Sequence, residues 1–131
     1  MSSKDVLNLQ YSVIQWPVDP EDERARARFK CIEDTFYKLL REGVFKEAVS
    51  RDKVSILDVM AASGICGIAL SKILVDEGIN VELTVSDLRE SDFKYAFKWV
   101  EVADLNGRKF KLDATVADAV KLPLYFSGRK F

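Results

Sequence analysis

Residues 54–67, VSILDVMAASGICG, constrain the fold of this chain more than any other stretch. They begin with a nearly continuous apolar run, which is typical of a parallel strand covered on both faces. Small residues at positions 61–64 then leave little but backbone in the turn. From Ile65 onward, apolar residues recur at helical spacing. The pattern predicts a strand, a tight turn and a helix, with backbone amides facing the place where open α/β sheets bind ligands.

Asp58, an acid inside the end of this strand, narrows the choice of ligand. The dinucleotide fingerprint is G-x-G-x-x-G, whereas this turn reads Ala62-x-Gly64-x-x-Gly67 and lacks the first glycine. A carboxylate beside a pyrophosphate places negative charge against negative charge. It suits a ligand that carries a cationic amine and no phosphate. A nicotinamide-dependent oxidoreductase half-domain stays an alternative, and Asp58 and Ala62 argue against it.

The segment LDVMAASGICG resembles motif I of the class I S-adenosylmethionine-dependent methyltransferases. In that family the motif is an apolar strand, an acid and a G-x-G-x-G turn or a small-residue variant of it. The chain departs from the motif at Met60 and Ala62, where many members have glycine. Its A-A-S-G turn is similar to that of RNA methyltransferases such as the tRNA guanine dimethyltransferases. Two readings without catalysis stay open: a strand–turn–helix that binds nothing, and a methyltransferase-like interaction module.

A second acid, Asp87, ends the next predicted strand, VELTVS. This strand alternates and is rich in β-branched residues. The resemblance implies that Asp87 accepts hydrogen bonds from both ribose hydroxyls of the cofactor, and a carboxylate can accept from both donors of a vicinal diol. The alternative is that Asp87 caps the following helix.

A third acid, Asp118, follows the predicted strand 110–117. The resemblance implies that Asp118 accepts a hydrogen bond from the adenine amino group, and that the next backbone amide, that of Ala119, meets a ring nitrogen. Asp113 competes for this role, but it lies inside the strand pattern.

The resemblance thus implies S-adenosyl-L-methionine as cofactor and direct displacement of its methyl group by a substrate nucleophile. RNA, and tRNA in particular, is the first expectation for the substrate. The substrate-side residues of such enzymes usually follow strand 4, which is absent before Phe131, so the catalytic residues stay unknown and this chain alone is expected to be inactive. The predicted cofactor-binding residues are Asp58, Ala62, Ser63, Gly64, Asp87, Leu88, Asp118 and Ala119.

The predicted fold is α/β, a Rossmann-like parallel sheet with strand order 3-2-1 and helices on both faces, because consecutive right-handed crossovers give that order. It is expected to be one domain, with an N-terminal part at 1–50 and the truncated cofactor-binding half at 51–131. A helix is predicted from Pro20, capped by Asp19, to about Arg41. Another is predicted from about Glu90 to Leu105, with its apolar face formed by Phe93, Ala96, Phe97, Val100 and Leu105.

Composition adds few constraints on function. The formal net charge is −1 over 131 residues, so no global field favours nucleic acid or anionic membrane. The two cysteines, Cys31 and Cys66, are expected to be reduced thiols of a cytoplasmic protein. With two cysteines and no histidine, no metal site is predicted, and a histidine general base is excluded within this chain.

Three predictions concern parts of the chain outside the core of the fold. The strand 54–60 lacks protective charges or proline along its edge, so another polypeptide or a second copy is expected to pair with it. Tyr11 and Trp16 are expected to help close the cofactor pocket. The arginines at 24 and 28 are expected to belong to a solvated helix face, since acids precede them.

Overall fold

A computed structural model describes Ser2 and residues 17–131 of the chain. The predicted contribution of Tyr11 and Trp16 to a pocket lies outside the described residues. Short 3-10 segments cover Glu90–Asp92 and Ala119–Lys121. In chain order the helices and strands are α1 (Glu23–Arg41), α2 (Lys46–Val49), β1 (Lys53–Val59), α3 (Ile65–Asp76), β2 (Asn80–Asp87), α4 (Phe93–Val102), β3 (Phe110–Val116) and α5 (Leu122–Phe126).

The three strands form a parallel sheet in which β2 lies between β1 and β3. This arrangement confirms the predicted α/β class and strand order. In the register, Asp58 lies opposite Val85, and Val85 lies opposite Ala114. All three strands therefore end at the same edge of the sheet, which is where the three predicted acids lie.

One face of the sheet is covered by helix α3, and α1 and α4 pack against α3 around a shared hydrophobic core. Leu83 and Val85 of β2 are fully buried in the hydrophobic core. Helix α3 contacts β1 and β2, and it also contacts α1 and α4 on either side. From β1 to β2 and from β2 to β3 the chain moves in the same direction across the sheet. Right-handed crossovers therefore place the two connecting helices, α3 and α4, on the same face of the sheet.

The opposite face carries alternating polar side chains and is reached by the C-terminal segment. Thr84, between the core residues of β2, is 1% exposed and accepts a hydrogen bond from Arg129 Nη2 at 3.3 Å. The guanidinium also lies over the rings of Phe126 and Phe131. Short helix α5 thus leads into a segment that covers part of the second face.

Trp99 joins the N-terminal part of the chain to this core. Its ring is fully buried, stacks on Phe29 of α1 at a centroid distance of 4.9 Å, and donates from Nε1 to the carbonyl oxygen of Val18 at 2.8 Å. The prediction that Phe97 belongs to the apolar face of α4 is wrong, because its side chain is 58% exposed. Trp99 takes that place, three residues after the buried Ala96.

The N-terminal boundary of α1 also differs from the prediction. Asp22, not Asp19, is the N-cap, and its carboxylate accepts from the backbone N–H of Arg24 at 2.9 Å. Asp19 instead closes a turn, in which its carbonyl oxygen accepts from Asp22 N–H at 2.9 Å. Pro20 lies in that turn, so the helix begins at Glu23.

Strand β1 lies at the border of the sheet. Within residues 17–131 it pairs with β2 alone. The expectation that another polypeptide or a second copy covers its other edge stays a prediction. No helix in this part of the chain is long and apolar enough to span a membrane.

Candidate functional site

The turn after β1 contains three residues with left-handed backbone. Met60, Ala62 and Gly64 have φ values of 56°, 50° and 73°. This conformation is easy for glycine, whereas it costs other residues roughly 1–2 kcal/mol. Met60 and Ala62 are also the positions at which the chain departs from the resembled motif. Met60 and Ala62 therefore adopt a backbone conformation that is typical of glycine although both carry side chains.

Asp58 lies beneath the start of α3. Its Oδ2 accepts from Gly67 N–H at 2.9 Å. A Cβ on Gly67 would lie only 2.8 Å from the same oxygen, so a side chain there would displace the carboxylate or the helix. Burial raises the pKa of Asp58, the Gly67 hydrogen bond lowers it, and the charge of Asp87 raises it further, with a net upward shift. The fold thus keeps a partly desolvated acid at the end of β1.

Asp87 connects the end of β2 to the turn after β1. Its Oδ2 accepts from Ala62 N–H at 2.8 Å, and its Oδ1 accepts from Arg89 N–H at 3.0 Å. These bonds occupy about two of the four lone-pair sites of a carboxylate, so two acceptor sites remain. The side chain is nearly buried, at 7% residue exposure. Asp87 therefore fixes the shape of the turn whatever else it binds.

Asp118 follows β3 at the same edge of the sheet. The backbone ladder continues past the strands, because Ala117 N–H donates to the carbonyl oxygen of Asp87 at 3.0 Å. Asp118 Oδ1 accepts from Val120 N–H at 2.9 Å, which caps the 3-10 segment containing Ala119. The competing acid, Asp113, lies in the middle of β3, 3.8 Å from Lys111 Nζ. Asp118 is thus the acid that lies at the strand end.

The remaining predicted residues also lie in these connections. Ser63 and Gly64 are buried in the turn, and Leu88 and Ala119 are partly buried after β2 and β3. The structure brings all eight predicted residues to the carboxyl ends of the strands. Their part in binding a cofactor stays a prediction.

A cavity of about 330 Å³ lies beside the end of β1. Burial raises the pKa of its Cys66 thiol, the charge of Asp58 raises it further, and that of Arg28 opposes both. Arg28 and Val18 are residues that the sequence pattern did not indicate, because their nearness to β1 depends on how α1 packs. The lining includes Val18, Arg28, Asp58, Met60, Ala62 and Cys66.

A further acid, Asp92, lies near Asp87 and was also not predicted. It is 6% exposed, and Arg89 Nη1 lies 3.9 Å from its Oδ2. Burial raises the pKa of Asp92, with the charge of Arg89 lowering it and that of Asp87 raising it. Acidic side chains therefore dominate the end of β2. Within residues 17–131, no group of three or more His, Cys, Asp or Glu side chains is arranged to hold a metal ion.

Comparison with solved structures shows a distant structural likeness. The chain is similar to the crystal structure of MNMC2 from Aquifex aeolicus, with a TM-score of 0.46 and 21% sequence identity. The match covers 67% of this chain and 33% of that one, so this chain spans about a third of the length of that structure. No family model and no curated protein matches the chain. Its function therefore has to be inferred from its own strand ends.

The left-handed backbone at Ala62 gives a prediction about stability. Ala62→Gly should raise the free energy of unfolding by up to about 1 kcal/mol, because glycine relieves the strain while adding some entropy to the unfolded chain. Ala61→Gly is the matched control. Its φ is not positive, so it should lower the free energy of unfolding by about 0.5–1 kcal/mol. Urea denaturation measures both, and equal losses in the two variants would contradict the turn geometry.

The raised pKa of Asp58 gives a second prediction, about pH. An acid whose pKa is raised in the folded state costs stability that grows as pH rises from the unfolded pKa and is complete above the folded pKa, and the cost vanishes when both states are protonated. Asp58→Asn should therefore stabilise the fold at neutral pH. The advantage should shrink on acidification and vanish below the ordinary value of 3.8.

Urea denaturation of the wild type and the variant across this pH range tests the second prediction. Asp113→Asn is the control, because that carboxylate is 46% exposed and forms a 3.8 Å surface pair; exposed pairs of this kind contribute about 0–1 kcal/mol. A difference between wild type and Asp58→Asn that does not change with pH would show that Asp58 is not a costly buried charge.

Proposed function

We propose that this chain binds S-adenosylmethionine at the carboxyl ends of its three parallel strands and forms the cofactor-binding part of a methyltransferase. The observation that carries the proposal is the partly desolvated Asp58 at the cavity under a small-residue turn. A carboxylate in that environment favours a cationic group and repels a pyrophosphate. S-adenosylmethionine has both an ammonium and a sulfonium group and carries no phosphate.

The donors and acceptors at the strand ends suit the parts of this cofactor. Asp58 would meet the methionine ammonium group, while Ala62, Ser63 and Gly64 would present backbone to the methionine chain. The two lone-pair sites of Asp87 that its backbone bonds leave would accept from the ribose hydroxyls. The adenine would then lie between the segments that follow β2 and β3, which contain Leu88, Asp118 and Ala119.

In this proposal, the cofactor supplies an electrophilic methyl group, and the chain contributes positioning. Asp58 and Asp87 would hold the methionine part and the ribose of the ligand from adjacent strands. RNA, with tRNA foremost, is the proposed class of methyl acceptor, supported by the similarity of the A-A-S-G turn to RNA methyltransferases. No residue of this chain is assigned to activate the acceptor.

Isothermal titration calorimetry tests this function. S-adenosylmethionine and S-adenosylhomocysteine should bind the full 131-residue chain, whereas NAD⁺ should bind far more weakly. Asp87→Ala should weaken binding by about 1.5–3 kcal/mol, the scale of hydrogen bonds to a charged group. Asp113→Ala is the matched control on β3 and should leave the affinity unchanged.

Because Asp87 also accepts a hydrogen bond from the turn after β1, the unfolding of Asp87→Ala is measured first. The titrations are then run under conditions in which circular dichroism shows the variant to be folded. Unchanged affinity in the folded variant would refute the role of Asp87. No binding of either adenosyl ligand to the wild-type chain, or tighter binding of NAD⁺, would refute the proposed function. No binding of any of the three ligands would favour an interaction module.

A further inference from the structure

The cavity beside β1 is lined by one cationic and one anionic side chain among the described residues, and they come from different elements. Arg28 lies on α1, and Asp58 lies near the end of β1. The rest of the described lining is apolar or small, apart from the Cys66 thiol. A cavity of about 330 Å³ with this pair of charges is suited to the zwitterionic end of an amino acid.

Arg28 differs from its neighbour Arg24 in what it contacts. Arg24 Nη2 lies 2.8 Å from Asp22 Oδ2, so its charge is already paired. Within the part of the chain that the structure describes, no carboxylate oxygen lies within 4.0 Å of the Arg28 guanidinium. Arg28 is exposed and also lines the cavity, so a carboxylate of a ligand can approach it.

Asp58 has capacity for a ligand as well. Its Oδ2 accepts from Gly67 N–H, and no donor from residues 17–131 reaches its Oδ1. Guanidinium groups bind carboxylates with two parallel hydrogen bonds, and a carboxylate accepts strong charge-assisted bonds from an ammonium group. The two side chains therefore offer complementary partners to the α-carboxylate and the α-ammonium group of one amino acid.

We infer that Arg28 is a specificity residue that binds the α-carboxylate of the methionine part of the ligand while Asp58 binds its α-ammonium group. This inference rests on the proposed function and adds to it a residue from α1, outside the strand ends. It predicts that the site distinguishes ligands by the presence of the carboxylate.

Two ligands that differ only in this group test the inference: S-adenosylmethionine and decarboxylated S-adenosylmethionine. Calorimetry with the full chain should show that Arg28→Gln weakens the binding of the first about 10- to 100-fold, the scale of charge-assisted hydrogen bonds. Binding of the decarboxylated ligand should change less than about 3-fold, because the contact is already absent. Arg24→Gln, one turn earlier on the same helix, is the control and should affect neither ligand.

The outcomes separate this inference from the proposed function. Equal weakening of both ligands by Arg28→Gln, or no effect on either, overturns the role of Arg28 and leaves cofactor binding standing. Failure of the wild-type chain to bind either ligand overturns both. Arg28→Lys keeps the positive charge but loses the two parallel hydrogen bonds of a guanidinium. The affinity of this variant for S-adenosylmethionine should therefore lie between those of the wild type and Arg28→Gln. An affinity as low as that of Arg28→Gln would contradict a charge-based contact.

Discussion

The hydrogen bond from Gly67 N–H to Asp58 holds the end of β1 against the first turn of α3, and the geometry of the site depends on it. The bond is possible because Gly67 has no Cβ; an added one would lie 2.8 Å from both Asp58 Oδ2 and Leu83 Cδ1. The helix therefore sits close to the strand and over the acid. Burial of Asp58 follows from this approach, and so does the upward shift of its pKa.

The second carboxylate extends this arrangement to the neighbouring strand. Asp87 accepts from Ala62 N–H, so the turn after β1 is held by the end of β2. Met60 and Ala62 adopt left-handed backbone in that turn without the freedom of glycine. Strain of this kind persists where surrounding contacts fix the conformation, and it is frequent at binding sites. The two acids thus act first as parts of the fold, and their remaining acceptor sites face the strand ends.

Much of the fold and of the candidate site could be predicted from sequence, because the signals that specify them are local. The apolar run before Asp58, the alternating strand before Asp87 and the small residues of the turn each carry a short-range signal, and the parallel order follows from right-handed crossovers. The errors concern choices between neighbouring positions, such as Asp22 over Asp19 as the cap and Trp99 over Phe97 in the core. For Arg28 the sequence predicts only a solvated helix face; its place beside the cavity could not be predicted, because it depends on the packing of α1 against α3.

S-adenosylmethionine is proposed to occupy the cavity at the end of β1, and the rate of Cys66 alkylation reports on that occupancy. Both cysteines are exposed, but Cys66 lines that cavity, whereas Cys31 lies on α1 outside the described lining and serves as the internal reference. Mass spectrometry gives the rate of modification of each thiol by N-ethylmaleimide. S-adenosylmethionine should slow the modification of Cys66 and leave the rate at Cys31 unchanged, and NAD⁺ should not protect Cys66. An unchanged rate at Cys66 under saturating S-adenosylmethionine, or equal protection by NAD⁺, would contradict the proposed occupancy.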